Sequence, residues 1–147
     1  MRAGTEDVAG IVGFAGAVEL LRRDLPAASL QMCRLRDRFE QGILSSCADV
    51  LVNGDGPRVP NTSNLAFMGV DGESLLISLD QAGIAASHGS ACATGALEPS
   101  RILVKMGLSL ERARSSLRFS LSRFTTEKEI DTALSIVEEE VKRLRKE

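Results

Sequence analysis

The chain has 147 residues, 44% hydrophobic and 26% charged, which is one domain's worth of ordinary globular protein. Its 18 basic and 20 acidic residues leave a net charge of -2, so no electrostatic footprint for nucleic acid exists, and with no Trp, no Tyr and 5 Phe there is no stacking platform for bases. Gly 13 and Pro 4 exclude a collagen-like or Pro-rich chain, and no stretch approaches the ~18 consecutive apolar residues of a membrane span.

Taken in chain order, residues 6–25 are predicted helical, with Val8, Ile11, Val12, Ala15 and Val18 at helical spacing, Thr5 as N-cap and Glu6 and Asp7 at the positive dipole end. Gly10, Gly13 and Gly16 weaken that helix and suggest a face pressed against another element, in this chain or in a partner. Pro26 predicts a break, followed by a second helix over 27–44 whose apolar stripe is Met32, Leu35, Phe39 and Ile43, with Arg34, Arg36 and Arg38 facing water. Residues 48–52 read as a strand ended by Asn53-Gly54-Asp55-Gly56-Pro57, and 62–68 as a second, Leu65 and Phe67 pointing inward against Asn64 and Ala66. Asp71 caps a short helix over 72–82 that Gly83 closes, and Ile84-Ala85-Ala86 is a short apolar strand.

A loop of small residues, 87–97, precedes a helix with Pro99 in its first turn and Gly107 at its end. Ser109 caps a further helical turn, and Leu117, Phe119 and Leu121 alternate with Arg118 and Ser120 in another strand. Thr126 and Glu129 form a capping box that opens a final helix with the stripe Ile130, Leu134, Val137, Val141 and Leu144. Its basic end is a solvated helix terminus. The sum is an α+β (α/β two-layer) single domain over 1–147, a sheet of about four strands with helices packed on it.

The opening MRAGTEDVAG has neither an apolar core nor a cleavage site of a leader, so the sequence reads as cytoplasmic. Cys33, Cys47 and Cys92 make no disulfide framework, and with His88 the only histidine they make no zinc pattern, so no metal is expected. Cys33 borders a helix stripe and Cys47 precedes a strand, which suits small core residues. Cys92 sits among Gly89, Ser90, Ala91, Ala93 and Gly95, residues too small to cover it. Spacing alone leaves it open between a reactive thiol and small-residue packing. His88 could pair with it as a base, though four residues along a loop do not ensure reach. Arg118 could present a two-pronged guanidinium to a carboxylate, or be an exposed strand charge.

Four stretches together resemble the C-terminal, small-domain part of a cysteine desulfurase of the class V aminotransferase family, on the iron–sulfur-cluster and nitrogenase-type branch. They are Arg2-Ala3-Gly4-Thr5-Glu6-Asp7-Val8, Pro60-Asn61-Thr62-Ser63-Asn64, Gly89-Ser90-Ala91-Cys92 with Leu97-Glu98-Pro99-Ser100, and Leu117-Arg118-Phe119-Ser120-Leu121 with Arg123-Phe124-Thr125. The resemblance implies that Cys92 is the nucleophile that takes sulfur from pyridoxal-phosphate-bound L-cysteine as a persulfide and releases alanine. It implies that Arg118 holds the substrate carboxylate and that Thr5 reaches the cofactor phosphate of a neighbouring subunit in a homodimer. An iron–sulfur scaffold or another acceptor protein would receive the sulfur, with neither nucleic acid nor membrane as partner.

The family's Schiff-base lysine belongs to a large domain upstream, and Lys105, Lys128, Lys142 and Lys146 do not match it. The chain alone is therefore expected to bind no pyridoxal phosphate and to be inactive. Two other readings compete: a non-catalytic sulfur carrier or acceptor module using Cys92, and a selenocysteine lyase or similar relative. Gly-Ser-Ala-Cys with Leu-Glu-Pro-Ser argues against the last.

Overall fold

Leu35, Phe39 and Ile43 recur four apart on one side of the first helix and are all buried, and that side fixes where the core lies. The computed structural model describes residues 4–89 and 99–146. Helix α1 runs Val8–Ser46 without interruption, so the expected break at Pro26 does not occur. Proline removes only the hydrogen bond to the Arg22 carbonyl, and position 26 is exposed, so water can satisfy that oxygen. The N-cap is Asp7, not Thr5; its carboxylate accepts from the Gly10 N–H at 3.0 Å.

Arg36 is buried rather than facing water. Its guanidinium donates to the Val59 carbonyl at 2.8 Å and to Asp37 at 2.6 Å, so its polar atoms keep partners although the stem is covered. Glu40, one turn on, is buried as well, and it accepts from Arg58 at 2.8 and 3.0 Å and from the Ser63 hydroxyl at 2.7 Å. Of the three N-terminal glycines of α1, a Cβ at Gly13 or Gly16 would meet nothing within 4 Å and at Gly10 only the cap Asp7, whereas Gly42 sits against Leu134 of the C-terminal helix, whose side chain a Cβ there would strike.

Strands β1 (Val50–Val52), β2 (Thr62–Phe67) and β3 (Ser116–Ser120) form an antiparallel sheet in the order β1-β2-β3. The first strand starts two residues later than expected because Asp49 takes φ 51, a left-handed turn conformation. The expected fourth strand at 84–86 reduces to one bridge, Ser87 with Arg118. Val52, Leu65 and Leu117 share one face, with Ser63 beside Phe119, and that face shares one core with the buried residues of α1 and α5 (Glu127–Leu144). Phe39 of α1 meets Phe119 with ring centroids 4.9 Å apart.

On the other face Leu51, Ala66 and Ser116 align. Ala66 was expected outward, yet it is fully buried, because the short helix α4 (Leu110–Arg114) covers this side too. Arg112 of α4 donates to the Asn53 side chain at 2.7 Å and the Val52 carbonyl at 2.8 Å. Asn53 in turn donates to Asn64 and to the Ser116 hydroxyl, each at 2.7 Å. This chain of bonds satisfies polar groups that a sheet covered on both faces would otherwise strand.

Asp71 caps α2 (Gly72–Gln81) as expected, and Gly83 follows it at φ 85. Helix α3 (Arg101–Lys105) begins after Ser100, so Pro99 precedes its first turn rather than occupying it; Gly107, at φ 89, lies just past its end. The capping box of α5 is present, with both Thr126–Glu129 bonds made.

Candidate functional site

Arg118 stands at the middle of β3, on the α4 face of the sheet, opposite Asn64 in the register. Strand alternation puts Leu117 and Phe119 into the core and leaves the Arg118 side chain exposed. Its backbone exchanges both hydrogen bonds with Ser87, N–H to carbonyl at 2.8 and 3.0 Å. Its Nη2 donates to the Ser87 hydroxyl at 3.3 Å. Among the described residues no carboxylate pairs with it, so most of its donors are free to engage a carboxylate from outside the chain.

Ser87 and His88 lead directly into residues 90–98, which lie outside the described residues and include the expected nucleophile Cys92. The stem is held firmly. His88 Nε2 lies 2.7 Å from the Arg114 carbonyl, which requires the proton on Nε2, while the buried Nδ1 has no partner among the described residues. The ring packs over Gly72, where a Cβ would come within 2.7 Å of His88 Cδ2. Asp71 beside it is held below its usual range by the Ser74 N–H and hydroxyl, with His88 adding to the effect.

Thr5 is exposed, two residues before the cap of α1, and no hydrogen bond or ion pair joins it to Arg118 among the described residues. The long helix directs free N–H groups and its positive dipole end there, which suits a phosphate, although the Asp7 carboxylate already takes one donor. Of the cysteines, Cys47 is buried and Cys33 is half-covered against Arg36 Nη2 at 3.1 Å, which fits the packing role expected of both.

Sequence reasoning missed Ser87 as the partner of Arg118, because a serine in a small-residue loop carries no pattern. It also missed Glu40, Arg58 and Arg112, whose partners lie 18 to 60 residues away along the chain.

The aminotransferase class-V family model matches residues 1–133. The chain belongs to that family. Over 145 residues it is 49% identical to a cysteine desulfurase of Nostoc sp. and 48% identical to one of Klebsiella pneumoniae, each match covering 98% of this chain and 36% of the relative. The chain thus spans about 36% of the length of these relatives. Its fold matches a solved NifS-like protein with a TM-score of 0.82 at 29% identity, covering 97% of this chain and 36% of that one. A NifS-like protein from Rickettsia africae matches at 0.79, with 29% identity over 95% of this chain and 36% of that one.

The family is pyridoxal-phosphate-dependent, and the described residues fit only part of that cofactor. Thr5 and the α1 terminus suit its phosphate, but among the described residues no hydrogen bond or ion pair joins a lysine to Thr5 or Arg118: Lys105 is on α3, Lys128 on α5, and Lys142 is paired with Glu138. These residues by themselves do not make a cofactor site. No step through it can be drawn from them.

Proposed function

We propose that this chain is the small-domain part of a cysteine desulfurase that moves sulfur from L-cysteine onto Cys92. In the balanced transfer the carbon–sulfur bond of L-cysteine breaks and a sulfur–sulfur bond forms on Cys92. Cys92 Sγ gives up its proton as the sulfur–sulfur bond forms, the carbon left by the sulfur takes up one proton and departs as the methyl of L-alanine, and no outside oxidant or reductant is required. Arg118 holds the substrate carboxylate through paired N–H donors, and Thr5 contributes to the phosphate site of a neighbouring subunit. The cofactor lysine comes from a large domain outside these 147 residues. The persulfide sulfur then passes to an iron–sulfur scaffold or another acceptor protein in the cytoplasm.

The observation that carries this reading is the place of Arg118: a guanidinium without an acidic partner among the described residues, bonded to Ser87 at the stem of the segment that bears Cys92. Identity of 49% to a cysteine desulfurase along almost the whole chain supports it. The test is the enzyme reconstituted with its large domain and given L-cysteine. The expected result is one added sulfur atom on the Cys92 peptide by mass spectrometry, with equimolar alanine, and loss of both in Cys92→Ser. Alanine release undiminished in Cys92→Ser overturns the assignment.

A further inference from the structure

Ser87 and His88 are tied to different elements, and the two ties do different work. Ser87 is laddered to Arg118 of β3, which sets the point where the chain enters residues 90–98. His88 is tied to α4 and α2, and Gly89 follows it at φ 72, a left-handed turn. Arg114 is the last residue of α4, where helix carbonyls lack an intrahelical N–H. His88 Nε2 supplies that donor at 2.7 Å, and the ring edge lies so close over Gly72 that no Cβ fits between them. One ladder alone fixes a point. The imidazole, held by a second bond and by packing, fixes a direction as well.

The same bond decides what His88 does for Cys92. With its proton on Nε2 and donated to a carbonyl, the ring keeps one basic nitrogen, Nδ1. That nitrogen is buried and has no partner among the described residues. A general base must present a bare nitrogen to the thiol, but Nε2 is committed and Nδ1 is enclosed.

We propose that His88 is a positioning residue for sulfur transfer, an anchor that aims the segment bearing Cys92 rather than a base that deprotonates it. The proposal rests on the reading of Cys92 as the sulfur carrier. A thiol that must meet a fixed substrate gains from a fixed starting point, since a misplacement of about 1 Å can cost ~10²-fold in rate.

Two variants separate the roles. His88→Gln keeps an N–H near the ε position, whereas His88→Phe keeps the ring and removes both nitrogens. In the 147-residue chain, nitrogen-15 spectra of the imidazole should show the proton on Nε2 and Nδ1 bare. Amide exchange at 87–89 should quicken about tenfold in His88→Phe and stay near the parent rate in His88→Gln, with β2 unchanged in both. In the enzyme reconstituted with its large domain, kcat for alanine release should fall about tenfold in His88→Phe. KM for cysteine should hold, because Arg118 keeps its ladder to Ser87, and His88→Gln should recover most of the rate. A proton on Nδ1, or exchange indifferent to His88→Phe, overturns the anchor. A His88→Gln enzyme as slow as His88→Phe overturns positioning and returns His88 to a base. A rise in KM that matches the fall in kcat, or no change in either, overturns it too. A parent enzyme that forms no persulfide on Cys92 overturns the desulfurase reading and this role with it, while the bond from His88 to Arg114, read in the chain alone, is unaffected.

Discussion

Arg118 and Ser87 are joined three times: both backbone N–H groups donate to the opposite carbonyl, at 2.8 and 3.0 Å, and Arg118 Nη2 donates to the Ser87 hydroxyl at 3.3 Å. The edge of the sheet is thereby tied to the chain entering residues 90–98. The Arg118 guanidinium and the stem of the segment that bears Cys92 therefore move as one body, because a strand ladder deforms little.

Arg118→Ala in the reconstituted enzyme should weaken cysteine binding by about 1.5–3 kcal/mol, the worth of hydrogen bonds to a charged group. Arg118→Lys should recover little of it, since an ammonium cannot make the paired contact. The side chain is exposed and pairs with no acid among the described residues, so thermal stability should barely change. Kinetics would be read beside a melting curve. An unchanged KM for cysteine would reduce Arg118 to a strand charge.

The pair of the buried Glu40 with the partly exposed Arg58 makes the fold acid-sensitive. Burial works against the charged carboxylate. The Arg58 guanidinium, the Ser63 hydroxyl and the nearby Arg36 outweigh that cost and hold Glu40 below its usual 4.5. Because the folded value lies below the unfolded one, this contribution is complete above about pH 4.5 and is lost as pH falls through the folded value. Glu40→Gln should cost about 3 kcal/mol at neutral pH, the low end for breaking a buried pair, since Arg58 keeps 27% of its side chain in solvent. Its urea midpoint should also fall less steeply between pH 5 and 3 than that of the parent. Parallel curves would remove Glu40 from the acid limb.

What the sequence makes legible here is whatever is decided locally. The Thr126–Glu129 box, the Asp71 and Ser109 caps, the inward Leu65 and Phe67 and the Leu117/Phe119 alternation need only a few neighbouring residues, and all appear as read. Pro26 misleads because a missing N–H costs little where the carbonyl it strands faces water. Arg36 and Ala66 mislead because burial depends on distant segments: the Val59 carbonyl covers one and α4 the other. Of the site, Arg118 and Thr5 are visible as residue types. The tie from Arg118 to Ser87 is not, since 31 residues separate them.

Gly72 is a place where space, not backbone freedom, requires glycine. A Cβ there would fall inside contact distance of the Arg114 carbonyl and within 2.7 Å of His88 Cδ2. The carbonyl ends a helix and cannot retreat, so Gly72→Ala should destabilise the domain by about 1–3 kcal/mol despite alanine's better helix propensity. His88 should lose its bond to Arg114, and amide exchange at 87–89 should quicken. A variant as stable as the parent, with those amides still protected, would show that the contact yields freely.

The last expectation concerns which thiol reacts. Cys47 is 6% exposed behind Ile43 and Val50, and alkylation of it must wait for local opening. Cys33 is half-covered, its sulfur 3.1 Å from Arg36 Nη2 and 3.6 Å from Asp37, so a reagent meets a crowded, polar approach. Cys92 has only glycine, serine, alanine and threonine within three residues on either side, too little side chain to shield it from its own segment. Limited alkylation of the native chain should therefore label Cys92 first, then Cys33, with Cys47 last and reached only as the fold is loosened by denaturant. Peptide mapping by mass spectrometry at several reagent times gives the order directly. If Cys33 labels ahead of Cys92, access does not set the order, and the nucleophile assignment then rests on the relatives alone. If Cys47 labels early at neutral pH without denaturant, the packing of α1 against β1 is looser than its burial implies.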